Sequence, residues 1–138
     1  AISGGAFFLA KNLFNDLNGF NDNLFWMEDM DFCKRASTLG HKIAYLHKTK
    51  LIHYIGKSSE KNWVITISNR LLSKIKYFKL HHGSFEVITL ITAIYLLVVV
   101  KSAYLLFLSP FSSLYRKKFI GYLTTLKLLL NKQYQISS

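Results

Sequence analysis

Cysteine and proline occur once each in 138 residues, as Cys33 and Pro110. A single thiol excludes an intrachain disulfide and a thiolate metal cluster, and it fits a reducing compartment. One proline leaves no Pro-rich linker, and no internal repeat is visible. Acidic side chains are also scarce: of seven in all, six precede residue 61 and only Glu86 follows it. The chain opens at Ala1 without a basic segment leading into an apolar one, so it reads as carrying no signal peptide. Its first residues, Ser3-Gly4-Gly5-Ala6-Phe7-Phe8-Leu9, already form a turn entering a buried strand. The sequence therefore reads as a piece of a longer protein.

What remains is basic and apolar, with a net charge of +11 and 51% hydrophobic residues. Residues 1–60 balance seven Lys/Arg against six acids, whereas residues 61–138 set eleven against one, a balance of +10. Such a basic half predicts an anionic partner, either nucleic acid or membrane headgroups. Val87–Leu108 is almost unbroken hydrocarbon, which a nucleic-acid binder has no need of. Membrane association through residues 60–130, with no nucleic acid, is the expectation.

Two regions follow from the local patterning. In residues 1–58, Ala6–Leu9 predicts a buried strand, and Lys11–Leu17 a short helix stopped by Asn18-Gly19. Glu28–Leu39 predicts a helix with acids Glu28, Asp29 and Asp31 in its first turn and Lys34 and Arg35 further on, as the helix dipole favours. Phe32, Cys33, Ala36 and Leu39 give it one apolar face, and Gly40 ends it. Lys42–Leu46 and Lys50–Tyr54 predict short strands. The expected class of this half is α/β.

Residues 59–138 predict helices. Ser58 or Ser59 is placed to cap one running to about Leu80, with Val64, Ile67, Leu71, Ile75 and Phe78 along one stripe. Val87–Leu108 is 22 residues, long enough to span a bilayer. Lys101 interrupts it, at roughly 2.5–3.5 kcal/mol if held at the bilayer centre. A last apolar helix is expected from Phe119 to about Leu130. Lys74, Lys76 and Lys79 flank the apolar stretch on one side and Arg116, Lys117 and Lys118 on the other. The positive-inside rule therefore selects no orientation, and a span, an interfacial hairpin and a buried core helix all stay open.

Glu28-Asp29-x-Asp31 follows the aromatic pair Phe25-Trp26. Three carboxylates in four residues repel one another unless a cation or a helix N-terminus offsets the charge. Beside an aromatic surface on which a sugar ring could lie, such a carboxylate is suited to deprotonating a hydroxyl. The plainer reading is that the acids open a helix and that Asp31 pairs with Arg35 one turn on. Spacing by itself favours the plainer reading.

An ordered set of motifs reverses that preference. Ser3-Gly4-Gly5-Ala6, Asn18-Gly19-Phe20-Asn21-Asp22-Asn23-Leu24-Phe25, Glu28-Asp29-x-Asp31-Phe32-Cys33-x-Arg35, Gly40-His41-Lys42-Ile43 and His53-Tyr54-Ile55-Gly56-Lys57-Ser58 succeed one another as in inverting family 2 glycosyltransferases. The chain most resembles their rhamnosyltransferase-like branch, over about residues 3–59. The resemblance implies the C-terminal part of a GT-A fold (1–58), followed by a helical membrane-associated tail (59–138). It also implies a nucleotide-sugar donor, a glycan or lipid-linked acceptor and a bound Mg²⁺ or Mn²⁺, working at the cytoplasmic face of the membrane in cell-surface polysaccharide synthesis. By the same resemblance Asp29 is the catalytic base and Glu28 helps position the acceptor. His53 completes the metal site, and Gly4, Gly5 and Ala6 let backbone approach the sugar. Trp26 is read either as a stacking platform or as core packing, and Cys33 as inert core.

The chain departs from that family twice. Gly19-Phe20-Asn21-Asp22 stands where many relatives carry Gly-Phe-Asp-Glu, so the loop lacks a carboxylate. No Asp-x-Asp pair precedes Glu28, so the donor-binding half is expected to be missing and these residues alone to be inactive. The rival expectation is a non-catalytic membrane-anchored binding module whose acidic cluster is only a helix start.

Overall fold

The computed structural model describes residues 6–48, 50 and 62–134. The chain folds as two compact units, Ala1–Ile55 and Gly56–Ser138. Among the described residues every regular element is a helix: α1 (Lys11–Asp16) and α2 (Glu28–Thr38) in the first unit, then α3 (Trp63–His81), α4 (Ser84–Leu108) and α5 (Ser113–Leu130) in the second.

This overturns the expected α/β class of the GT-A type. Residues 7–10 and 41–46 lie outside any regular element, and no strand occurs among the described residues. The alternation expected of a strand survives locally, with Phe7 and Leu9 half-buried and Phe8 fully out. A strand, however, is completed by its neighbour's N–H and C=O groups, and neither segment finds such a neighbour among the described residues. Most of the Lys50–Tyr54 segment lies outside the described residues.

The first unit is built on aromatic rings. Phe7, Phe14, Phe20 and Phe32 form one cluster, with Phe20–Phe32 centroids 5.4 Å apart and Phe14–Phe32 5.9 Å apart. Leu17 and Ala36 are buried against it. The turn after α1 places both Asn18 (φ 54°) and Gly19 (φ 70°) in the left-handed region. That double turn swings Phe20 back onto Phe14, and Gly19 suits it because a side chain there would meet the Phe14 ring at 3.0 Å. α2 ends as Gly40 predicted. His41 N–H donates to Ala36 O (3.1 Å) and Gly40 N–H to Ser37 O (3.0 Å), the paired bonds of a Schellman motif with glycine at φ 83°.

In the second unit α3 starts at Asn62, whose side chain accepts from Ile65 N, so the cap is neither Ser58 nor Ser59. α5 begins at Ser113, with Ser112 as its cap, well before the expected Phe119. Arg116, Lys117 and Lys118 are therefore helical, not part of a connecting loop.

Short connections make α4 antiparallel to its two neighbours, and α3 and α5 run side by side in the same direction. They come close at Gly121, where an added Cβ would lie 3.2 Å from Trp63 O and 3.3 Å from Val64 Cα. One turn on, Thr125 is wholly buried with its Oγ1 3.2 Å from Ser68 Oγ. Each hydroxyl also donates within its own helix, Thr125 to Gly121 O and Ser68 to Val64 O. Leu72 and Ile75 of α3, Ile94 and Val98 of α4, and Leu129 of α5 complete the core.

Candidate functional site

α2 presents its three first-turn acids differently because a helix turns 100° per residue. Asp31 falls on the inner face and is 1% exposed. Arg35, one turn on, meets it with Nε 2.8 Å from Oδ2. The same guanidinium donates Nη1 to Leu17 O (2.6 Å) and Nη2 to Gly19 O (2.8 Å), and it lies 5.5 Å from the Phe32 ring centroid. One planar fork thus ties α2 to the left-handed turn after α1, a geometry lysine could not reproduce. Asp31 is neutralised and enclosed, so it serves structure.

Glu28 and Asp29 stay half-buried at the helix start. Asp29 Oδ1 accepts from Met30 N–H at 2.7 Å. One oxygen of Glu28, Oε2, is buried without a hydrogen-bond partner. Directly before them Phe25 and Trp26 are 60% and 40% exposed, their rings edge to face at 6.3 Å. Of the two readings of Trp26, exposure favours an available aromatic surface over core packing. Cys33 is buried and free, as read from its helix face.

The other candidate residues are not brought to this place by anything described. Ala6 is exposed, and Gly4, Gly5 and His53 lie outside the described residues. Among the described residues no group of three or more His, Cys, Asp or Glu side chains converges as a metal site. The acidic trio does not fit one either, because Arg35 already holds Asp31. The role of Arg35 as the link between Leu17, Gly19 and Asp31 was only half visible in the sequence. The spacing signals the ion pair, but nothing in it signals the two carbonyl bonds.

α4 is the second functional feature. It is long and apolar enough to cross a membrane, with 17% of its most apolar window buried inside the protein. Val98, Ile94 and Leu105 face the core, whereas Phe85, Ile88, Leu96, Val100 and Phe107 face outward. Exposed hydrocarbon on this scale marks an interaction surface, and the helix is compatible with membrane association. No family model matches this chain, and no curated protein or solved structure matches it either.

Proposed function

We propose that the chain is the acceptor-side part of a membrane-associated inverting glycosyltransferase. Asp29 takes the proton of an acceptor hydroxyl while that oxygen attacks the anomeric carbon of a nucleotide-sugar, and the nucleoside diphosphate leaves. The carrying observation is the division of labour among the carboxylates. Asp31 is consumed by Arg35, whereas Asp29 and Glu28 stay half-buried beside exposed Phe25 and Trp26. A general base must reach its proton, and Asp29 is the partly accessible Asp of the Glu-Asp pair. Glu28 orients the acceptor, and Trp26 offers an apolar face to a sugar ring. Gly4, Gly5 and Ala6 are assigned to the sugar by the order of the motifs alone.

The reading rests on the order of the motifs and on these side chains, not on a sheet. A divalent Mg²⁺ or Mn²⁺ enters it only through His53, since the described residues alone do not form its site. The apolar helix and the +10 balance of residues 61–138 support membrane association in this reading. The cytoplasmic face and a glycan or lipid-linked acceptor of cell-surface polysaccharide synthesis come from the order of the motifs. Nucleic acid is not a partner in this reading.

The test is Asp29→Asn in the full-length protein. Transfer falls by about 10²–10⁴-fold, the usual contribution of a general base, while nucleotide-sugar binding and helix content are unchanged. Turnover within threefold of the parent sinks the assignment. A non-catalytic membrane-anchored module is the second reading, favoured by the Asp29–Met30 bond, which any helix start could use. In that case no nucleotide-sugar is bound and the variant loses only helix stability.

A further inference from the structure

We propose that the helical unit 62–134 lies in one leaflet of an anionic phospholipid membrane without crossing it. The inference rests on the membrane-associated part of the reading above and adds to it the mode of insertion and the lipid class. Three observations carry it.

The first is depth. Thr125 is level with Ser68, and Leu129 packs in one cluster with Leu72, Ile75, Ile94 and Val98. The middle of α4 is thus locked to the middle of α3 and to the second half of α5. If α4 stood across a bilayer with this packing, Arg70, Lys74 and Lys76 would sit near the midplane, and Lys127 with them. Charges at that depth are strongly disfavoured in transmembrane segments. With the helices lying in the interface plane, the exposed Arg70 and Lys127 reach headgroup level by extending their aliphatic stems.

The second is the outward stripe of α5. Arg116, Ile120, Leu123, Lys127 and Leu130 recur at helical spacing, and all are exposed. A face on which cations and hydrocarbon alternate suits neither bulk water nor acyl chains throughout. It suits the boundary between them, with leucine and isoleucine immersed and the cations on phosphate.

The third is charge. Eleven Lys/Arg against Glu86 alone in residues 61–138 match an anionic surface and not a zwitterionic one. The α3–α5 contact is compatible with lipid, because Gly121 brings the backbones together and the Ser68 and Thr125 hydroxyls inside it each donate to a carbonyl of their own helix, Val64 O and Gly121 O.

The experiment uses the full chain carrying Cys33→Ala together with either Ser84→Cys or Ser113→Cys, expressed and recovered in sealed membrane vesicles of both orientations. The two exposed positions are the first residue of α4 and the first residue of α5, at opposite ends of α4. A membrane-impermeant maleimide should label both in the same vesicle orientation, to within twofold, and neither in the other. Labelling on opposite sides shows a span and overturns the inference, as does recovery of the chain in the soluble fraction. With preformed vesicles, binding should be at least tenfold stronger at one-third phosphatidylglycerol than in pure phosphatidylcholine. Equal binding to the two overturns the lipid class, and Lys117→Glu combined with Lys127→Glu should weaken the anionic binding at least tenfold. A span leaves the Asp29 reading untouched, and a fully active Asp29→Asn variant leaves the labelling pattern untouched, so the two failures are distinguishable.

Discussion

Arg35→Ala removes three hydrogen bonds at once, to Asp31 Oδ2, Leu17 O and Gly19 O, all between 2.6 and 2.8 Å. It also leaves the Asp31 carboxylate enclosed without its cation. Breaking a buried ion pair from one side costs about 3–5 kcal/mol. The Arg35 side chain is 27% exposed, so water screens part of the pair and can partly replace the lost cation. The expected loss is therefore about 2–4 kcal/mol, local to the first unit. A chain of two compact units does not melt as a single two-state system, so a global melting point is a poor readout. Hydrogen exchange of the α2 amides reads the local opening free energy directly. At 1.4 kcal/mol per decade, 2–4 kcal/mol accelerates exchange through Phe32–Ala36 by about 30- to 700-fold. Amides of α4 should be unaffected. Acceleration of α2 below about threefold would refute the view that this guanidinium holds the turn and the helix together. Asp31→Asn separates structure from chemistry in the same system: it loosens α2, yet at a permissive temperature the full-length protein should retain the transfer that Asp29→Asn abolishes.

Three further substitutions probe the packing. Gly121→Ala gains up to about 1 kcal/mol of helix propensity, but two of the three atoms its Cβ would meet are backbone and cannot turn aside. A net loss of about 1–2 kcal/mol is expected in chemical denaturation of the second unit, and a stabilised variant would contradict the close approach. Gly19→Ala must hold a left-handed φ of 70° and push the Phe14 ring from 3.0 Å. The cost is about 1–2 kcal/mol, visible as faster exchange at Phe14 and Phe20 and unchanged exchange at α5. Val98→Ala empties the centre of the three-helix core, where Val98 is wholly buried. It should destabilise that unit by about 2 kcal/mol, against a negligible change for Val100→Ala on the exposed face.

Much of the local structure was legible from the chain alone, because it is set by neighbours within a few residues. The acids of Glu28–Asp31, the apolar face through Phe32 and Ala36 and the stop at Gly40 specified α2 to within a residue. Length and hydropathy specified α4 at its end, Leu108, though the helix starts three residues before the expected Val87, and the i, i+4 spacing specified the Asp31–Arg35 pair. Boundaries set by a single polar cap were harder to read. Asn62 won over Ser58 and Ser59, and Ser112 started α5 before its basic run, since several residues competent to cap stand close together in each place.

The acidic segment at Phe25–Asp31 was visible as a cluster, and its spacing already paired Asp31 with Arg35. Packing added the degree of enclosure, with Asp31 1% exposed and Glu28 and Asp29 half-buried at the helix start. Long-range partners decided the rest. The Leu17 and Gly19 carbonyls that complete the arginine fork are 18 and 16 residues away in sequence. The strands expected at Ala6–Leu9 and Lys42–Leu46 have the right residues but lack ladder partners among the described residues. Residue type and period fix which way a short segment prefers to turn. Whether an extended segment becomes a strand, and which distant carbonyls complete an arginine's hydrogen bonds, is decided by what stands next to it in space.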